Sequence, residues 1–220
     1  MLITTDLETF YSQQFSLSKL TTEAYIRSPE FETIGIAIKI EDGPSQWYPQ
    51  PQVRAALDAI DWSEAFVLCQ NTAFDAAILA WRYDVHPKGM FDTMCMSRAL
   101  FPHEKSHSLS AQAQRAGIGA KGDEVVQALG KRYADFDAPS LARYGAYCIN
   151  DVELTYALFQ QYMGMGFPAQ ELKLIDLTLQ MFTEPVLELD TALLEEHLWD
   201  VRLQKQNSLR GVFDLCKTLA

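Results

Sequence analysis

The sequence has no run of about 18 or more consecutive apolar residues, and no basic region leads into an apolar one at its start. Neither a membrane-spanning helix nor a secretory signal is therefore expected, and a cytoplasmic chain without a membrane partner is. Cysteine is scarce: Cys69, Cys95, Cys148 and Cys216 lie far apart without a C-x-x-C pair, and the four histidines add no zinc-ligand spacing. This excludes a disulfide framework and a structural zinc site, and leaves reduced thiols that are mostly buried. Positive charge is also in short supply. With 18 basic against 29 acidic residues the net charge is −11, which argues against a broad basic surface for nucleic acid. The objection weakens where part of the acidity forms a divalent-metal site, because a bound cation reverses the local field and meets phosphate itself.

What is present is a chain of 220 residues, 48% hydrophobic, long enough to bury a core of its own. Met1 to Thr9 is an apolar, β-prone run. Phe31 to Ile40 alternates, with Ile34, Ile36, Ile38 and Ile40 on one face and Gly35, Ala37 and Lys39 on the other. The turn Glu41-Asp42-Gly43-Pro44 leads to a third strand near Gln46 to Tyr48, completing a β-meander. Helix and strand then alternate: helix over Val53 to Ile60, strand over Ala65 to Gln70, helix over Ala73 to Tyr83, strand near Met90 to Asp92. Helices follow over Thr93 to Leu100, Ser108 to Ala116, Glu124 to Leu129 and Ser140 to Tyr162. This order predicts an α/β fold, a mixed sheet with helices on both faces. The texture changes after Gly164-Met165-Gly166-Phe167-Pro168 to two long helical patterns separated by an extended segment over Pro185 to Leu189. A boundary there divides residues 1–166 from a helical segment, 167–220.

Four acids and a tyrosine stand out. Asp6 and Glu8 sit two apart in the first strand, so both side chains leave the same face of the sheet. Two adjacent carboxylates repel unless a cation lies between them. An isolated D-x-E is more often an exposed edge, but here its strand is otherwise apolar. Asp75 follows Asn71-Thr72 at the start of a helix, where Thr72-x-x-Asp75 also fits a capping box. Its place just beyond the carboxyl end of a buried strand is where sites gather in open α/β sheets. Tyr147 and Asp151 are four apart on one helical face, on the shoulder of an apolar stripe of Leu141, Tyr144, Cys148, Val152 and Phe159. A core tyrosine satisfied by a nearby acid is the plain alternative for that pair.

Asp6-x-Glu8, Asn71-x-x-x-Asp75 and Tyr147-x-x-x-Asp151, in this order, resemble the three exonuclease motifs of the DEDD superfamily, in the subtype with a tyrosine in the third. Phe91-Asp92-Thr93-Met94-Cys95-Met96-Ser97-Arg98-Ala99-Leu100 and His107-Ser108-Leu109-Ser110, on to Gly117, are similar to connecting segments of proofreading exonucleases. The resemblance spans about the first 160 residues. It implies a ribonuclease H-like fold and a 3′–5′ exonuclease that acts on the 3′ end of single-stranded DNA. It also implies two Mg²⁺ or Mn²⁺ ions, which in such sites lie about 3.5–4 Å apart and take carboxylate oxygens and water as ligands. On this resemblance Asp6 bridges the ions, Glu8 and Asp151 complete the first site, Asp75 holds the second and Tyr147 positions the attacking water. Asn71 is expected to cap its helix. Gripping only a few nucleotides at one end, such an enzyme would bind weakly and in a salt-sensitive way.

Glu171-Leu172-Lys173-Leu174-Ile175, running to Glu184-Pro185-Val186-Leu187-Glu188-Leu189-Asp190, is similar to the start of the polymerase region in family A DNA polymerases, of a kind common in bacteriophages. A polymerase region is the partner this implies, with proofreading as the role. Two alternatives stay open: RNA 3′-end trimming by the same superfamily, and a non-catalytic nucleic-acid-binding module of this fold. In the tail, Leu172, Ile175, Leu179 and Phe182 share one helical face while Leu174, Leu177 and Met181 lie nearly opposite. A helix apolar on two sides needs two partners. The next helix adds Leu203, Leu209, Val212 and Phe213, so an exposed apolar patch and self-association are expected.

Overall fold

The computed structural model describes residues 1–119, 128–184 and 186–218, with the side chains of the last helix described to residue 210. In chain order the elements are β1 (Leu2–Thr9), α1 (Thr22–Arg27), β2 (Thr33–Ile40), β3 (Gln46–Pro49), α2 (Gln50–Asp58), β4 (Phe66–Cys69), α3 (Thr72–Tyr83), β5 (Gly89–Asp92), α4 (Thr93–Leu100), α5 (Leu109–Ala116), α6 (Ala138–Gly164), α7 (Ala169–Thr183) and α8 (Thr191–Thr218). The five strands form one sheet in the order β3-β2-β1-β4-β5. The first three are an antiparallel meander, and β4 and β5 run parallel to β1. This is the mixed ribonuclease H-like sheet that the strand pattern and the resemblance imply. The helix expected over Glu124 to Leu129 falls largely outside the described residues. The short helix α1 has no counterpart among the expected elements; Thr21 caps it, its side chain accepting from the Ala24 N–H.

The alternation in β2 reads as one buried face, yet both faces are buried. Ile34, Ile36 and Ile38 join the main core with Ile3, Val53, Leu57 and Ile78. On the other face the small residues Gly35 and Ala37 let α6 come close, and Lys39 is buried because its ammonium donates to the Gly43 carbonyl at 2.6 Å and to Glu153 at 3.0 Å. The register pairs Asp6 with Ala37 and Glu8 with Gly35. Residues directly opposite in a ladder share a face, so both acids stand beside small neighbours under α6. A shift in register between Glu8 and Thr9 follows at once, a local irregularity of the kind that re-aims side chains next to sites.

The parallel strands place the start of α3 beyond the carboxyl end of β4, beside β1. α7 packs against α3 and β5. Its buried face carries Leu179, with Leu172 and Ile175 partly covered, and Asp176 Oδ1 accepts the Met90 N–H at 2.8 Å, closing part of the β5 edge. The first compact unit therefore runs Met1–Glu184 and includes a helix that lies beyond the expected boundary at 166. The second unit spans Pro185–Ala220 and is built on α8. Among the described residues no helix is long and apolar enough to cross a membrane.

Candidate active site

β1, α3 and α6 each deliver part of one cluster. Asp6 and Glu8 leave β1 on the α6 face, and an oxygen of each lies within 4.8 Å of the Cys148 Sγ on α6. Asp75, in the first turn of α3, is buried, and its Oδ1 accepts the Leu7 N–H at 3.0 Å. That bond ties the start of α3 to β1 midway between the two strand acids. Tyr147 and Asp151 lie one turn apart on α6, both buried, and the Tyr147 hydroxyl is hydrogen-bonded to the Asp151 carboxylate. Five residues separated by up to 145 positions thus meet near the carboxyl end of the central strand β1.

The electrostatics report the same crowding. Burial pushes the Asp75 carboxyl well above the usual carboxylate range, and the charges of Asp6 and Glu8 add to it, although the Leu7 amide pulls the other way. Burial raises the Tyr147 phenol, with Asp151, Glu8 and Asp6 contributing further. The Cys148 thiol is raised by burial and then by Asp6. A carboxyl such as Asp75, kept from ionising by burial and by the charges of its neighbours, is what a divalent cation relieves. The donor set is oxygen-rich, which fits a hard cation such as Mg²⁺ or Mn²⁺ better than zinc.

Two sequence expectations need correction. Asn71 stands at the N-cap position of α3 but in the left-handed region, φ 65° and ψ 52°, and its side chain makes no capping bond. Its N–H instead donates to Asp92 Oδ1 at 3.1 Å. Asp92 is a buried residue that also receives the Met94 N–H at 2.8 Å and so caps α4. The capping-box alternative for Thr72 and Asp75 likewise gives way. The Thr72 hydroxyl donates to the Phe91 carbonyl at 2.6 Å, and Asp75 bonds a neighbouring strand. Two residues in contact with the strand acids were missed. Tyr144, assigned to the apolar stripe, donates its hydroxyl to Glu8 Oε2 at 2.5 Å, and Cys148 Sγ reaches Asp6 Oδ2 at 3.4 Å. The available signal was spacing: Tyr144 is three residues before Tyr147, hence on the same helical face.

A family model described as 3′–5′ exonuclease matches residues 30–165. The chain belongs to the 3′–5′ exonuclease family. The matched segment starts after Asp6 and Glu8, and the pairing of β1 with β2 and β4 brings those acids to it. Solved structures of DEDD exonucleases share the fold. Trypanosoma brucei RNase D is similar at a TM-score of 0.59 and 16% identity, over 86% of this chain and 68% of that one. Escherichia coli RNase D, an exoribonuclease involved in structured RNA processing, gives 0.52 and 15%, over 84% and 46%. Brucella melitensis NrnC with bound Mg²⁺ gives 0.51 and 14%, and its form bound to pGG gives 0.52 and 14%, each over 83% and 81%. Among curated proteins no sequence matches. The family works with two divalent metal ions, the requirement to which the crowded carboxylates of this exonuclease point.

Proposed function

We propose that this exonuclease hydrolyses DNA phosphodiesters from the 3′ end in a metal-dependent reaction, releases nucleoside monophosphates, and proofreads for a DNA polymerase. The observation that carries the chemistry is the convergence of Asp6, Glu8, Asp75 and Asp151 beside a tyrosine whose hydroxyl is bound to Asp151. Asp6, Glu8 and Asp151, with Asp75, would hold Mg²⁺ or Mn²⁺, which supply activation of water and stabilisation of the departing 3′ oxygen. Tyr147, its proton held on, would orient the water by hydrogen bonding. Beside Glu8 lies a cleft of 280 Å³ bordered by Leu7, Thr9, Tyr11, Leu17 and Phe74. It is just below the usual size range of ligand pockets and suits the end of one strand, with aromatic faces for a base to stack on.

The DNA preference and the proofreading role rest on the likeness of Glu171 to Asp190 to the start of a family A polymerase region, which would be the partner. The site of action would then be the cytoplasm, that of a bacterial host if the gene belongs to a phage. A second reading, RNA 3′-end trimming, is favoured by the similarity to the two RNase D structures, and carboxylates alone do not read the 2′-OH. End-labelled single-stranded DNA and RNA, each with Mg²⁺, Mn²⁺ or EDTA, decide among these. Stepwise shortening of DNA in Mg²⁺ or Mn²⁺ but not in EDTA is expected. Faster shortening of RNA would replace the DNA reading, and no shortening of either would leave the fold as a binding module.

A further inference from the structure

Tyr144 stands outside the five residues that the motifs single out, yet the structure invests several side chains in holding it. The rings of Phe136 and Tyr147 stack on it nearly parallel, at 5.4 Å and 6.3 Å and both at 10°. The Trp47 indole meets its edge at 6.5 Å and 65°. Trp47 itself fits only because Gly35 and Gly145 lack a Cβ: one at Gly35 would lie 2.3 Å, and one at Gly145 2.6 Å, from the indole ring. The wedge is retained although Trp47 Nε1 is buried with no hydrogen-bond partner, an arrangement that ordinarily costs stability. A ring clamped by three aromatic neighbours has little freedom to turn, so its hydroxyl is aimed at Glu8 Oε2, 2.5 Å away. Filling the core alone would need only a phenylalanine here. The hydroxyl brings instead a strong, charge-assisted hydrogen bond to one member of the acidic cluster.

We propose that Tyr144 is a positioning residue for Glu8: it holds one carboxylate oxygen and so sets the orientation in which Glu8 meets a divalent cation. The inference rests on the metal-dependent reading of the site. Partners of this kind, bonded to a ligating carboxylate, characteristically govern metal affinity.

The test is Mn²⁺ binding without substrate, followed by electron paramagnetic resonance and calorimetry on the 220-residue chain and its Tyr144→Phe and Tyr147→Phe variants. Tyr144→Phe is expected to weaken Mn²⁺ binding by about 10–100-fold, to keep its far-ultraviolet circular dichroism, and to recover most of its maximal cleavage rate at saturating Mn²⁺. A folded Tyr144→Phe protein that binds Mn²⁺ as tightly as the parent overturns the proposal and makes Tyr144 a packing residue. If the parent chain itself binds no Mn²⁺, the metal-dependent reading fails first and the inference falls with it. Should Tyr144→Phe not fold, the Tyr147→Phe protein carries the test: a tyrosine difference spectrum on saturation with Mg²⁺ is expected, and a flat one overturns the proposal.

Discussion

Asp6 lies within reach of the whole cluster, its charge raising Asp75, Tyr147 and Cys148 alike. Asp6→Ala should therefore abolish metal-dependent cleavage while keeping the fold. In EDTA its melting temperature should equal or exceed that of the parent, because one repelling carboxylate is gone. Thermal melts in EDTA and an end-labelled assay check both halves, and substantial metal-dependent cleavage by the folded variant would remove Asp6 from the site. Tyr147 predicts a different profile. If its hydroxyl orients water, Tyr147→Phe keeps Mn²⁺ binding and loses rate, by no more than roughly 10²–10⁴-fold. A large loss of Mn²⁺ affinity with an unchanged maximal rate would assign it a structural role. The types and spacing of these residues were readable in the sequence. Tyr144 and Cys148 read as core, and only the spacing of Tyr144 from Tyr147 pointed to the cluster, because an amphipathic side chain on an apolar face does not itself show what its polar tip will meet.

At the scale of elements, the height of α6 above the sheet depends on glycine. Gly145→Ala gains at most about 1 kcal/mol of helix propensity, but its methyl would lie 2.6 Å from an indole that Gly35 and Tyr144 also confine. Overpacking of this kind costs about 1–3 kcal/mol, so a net loss of stability and a lower urea midpoint are expected. An unchanged midpoint would show that Trp47 can yield. The far end of α7 is held by a titratable tie. His86 Nδ1 lies 2.8 Å from Glu184 Oε1 and Nε2 lies 3.1 Å from Asp84 Oδ1, while Trp81 Nε1 donates to the Thr183 carbonyl at 2.8 Å. The Glu184 hydrogen bond, with Asp84 behind it, raises His86 above its ordinary 6.5. A raised histidine contributes fully below 6.5, and that contribution is lost as pH climbs through the raised value. Trp81 fluorescence should report loosening of the α7 end across that interval, with the step absent in His86→Gln. A step of equal size in the variant would place its origin elsewhere.

For the molecule as a whole, burial divides the chain unevenly. On α7 the face opposite Leu179 leaves Leu177 and Met181 exposed, by 54% and 69%, and on α8 Leu193 and Trp199 are exposed by 62% and 65%. Apolar surface of this extent promotes association. The 220-residue chain should bind a hydrophobic dye and show concentration-dependent mass by light scattering. A chain ending at Glu184, which keeps the first compact unit, should remain folded with weaker dye binding and lower mass. Equal, monomeric behaviour of both would mean that the tail needs no partner. The side chains of Val212 and Phe213, which the sequence adds to this patch, lie outside the described residues.

The sequence by itself determined the order of strands and helices, the alternation that marks β2 and the spacing that puts Asp6 with Glu8 and Tyr147 with Asp151, since periods of 2 and 3.6 residues are local properties of the backbone. It missed α1, whose six residues are too few to show a period. Only the tertiary structure decided that the second face of β2 is buried, that α7 belongs to the first compact unit, that Asn71 leaves the capping of its helix undone and that Tyr144 reaches Glu8. Each of these depends on which distant segment packs against a given face, and a choice made by packing leaves no periodic trace in either segment alone.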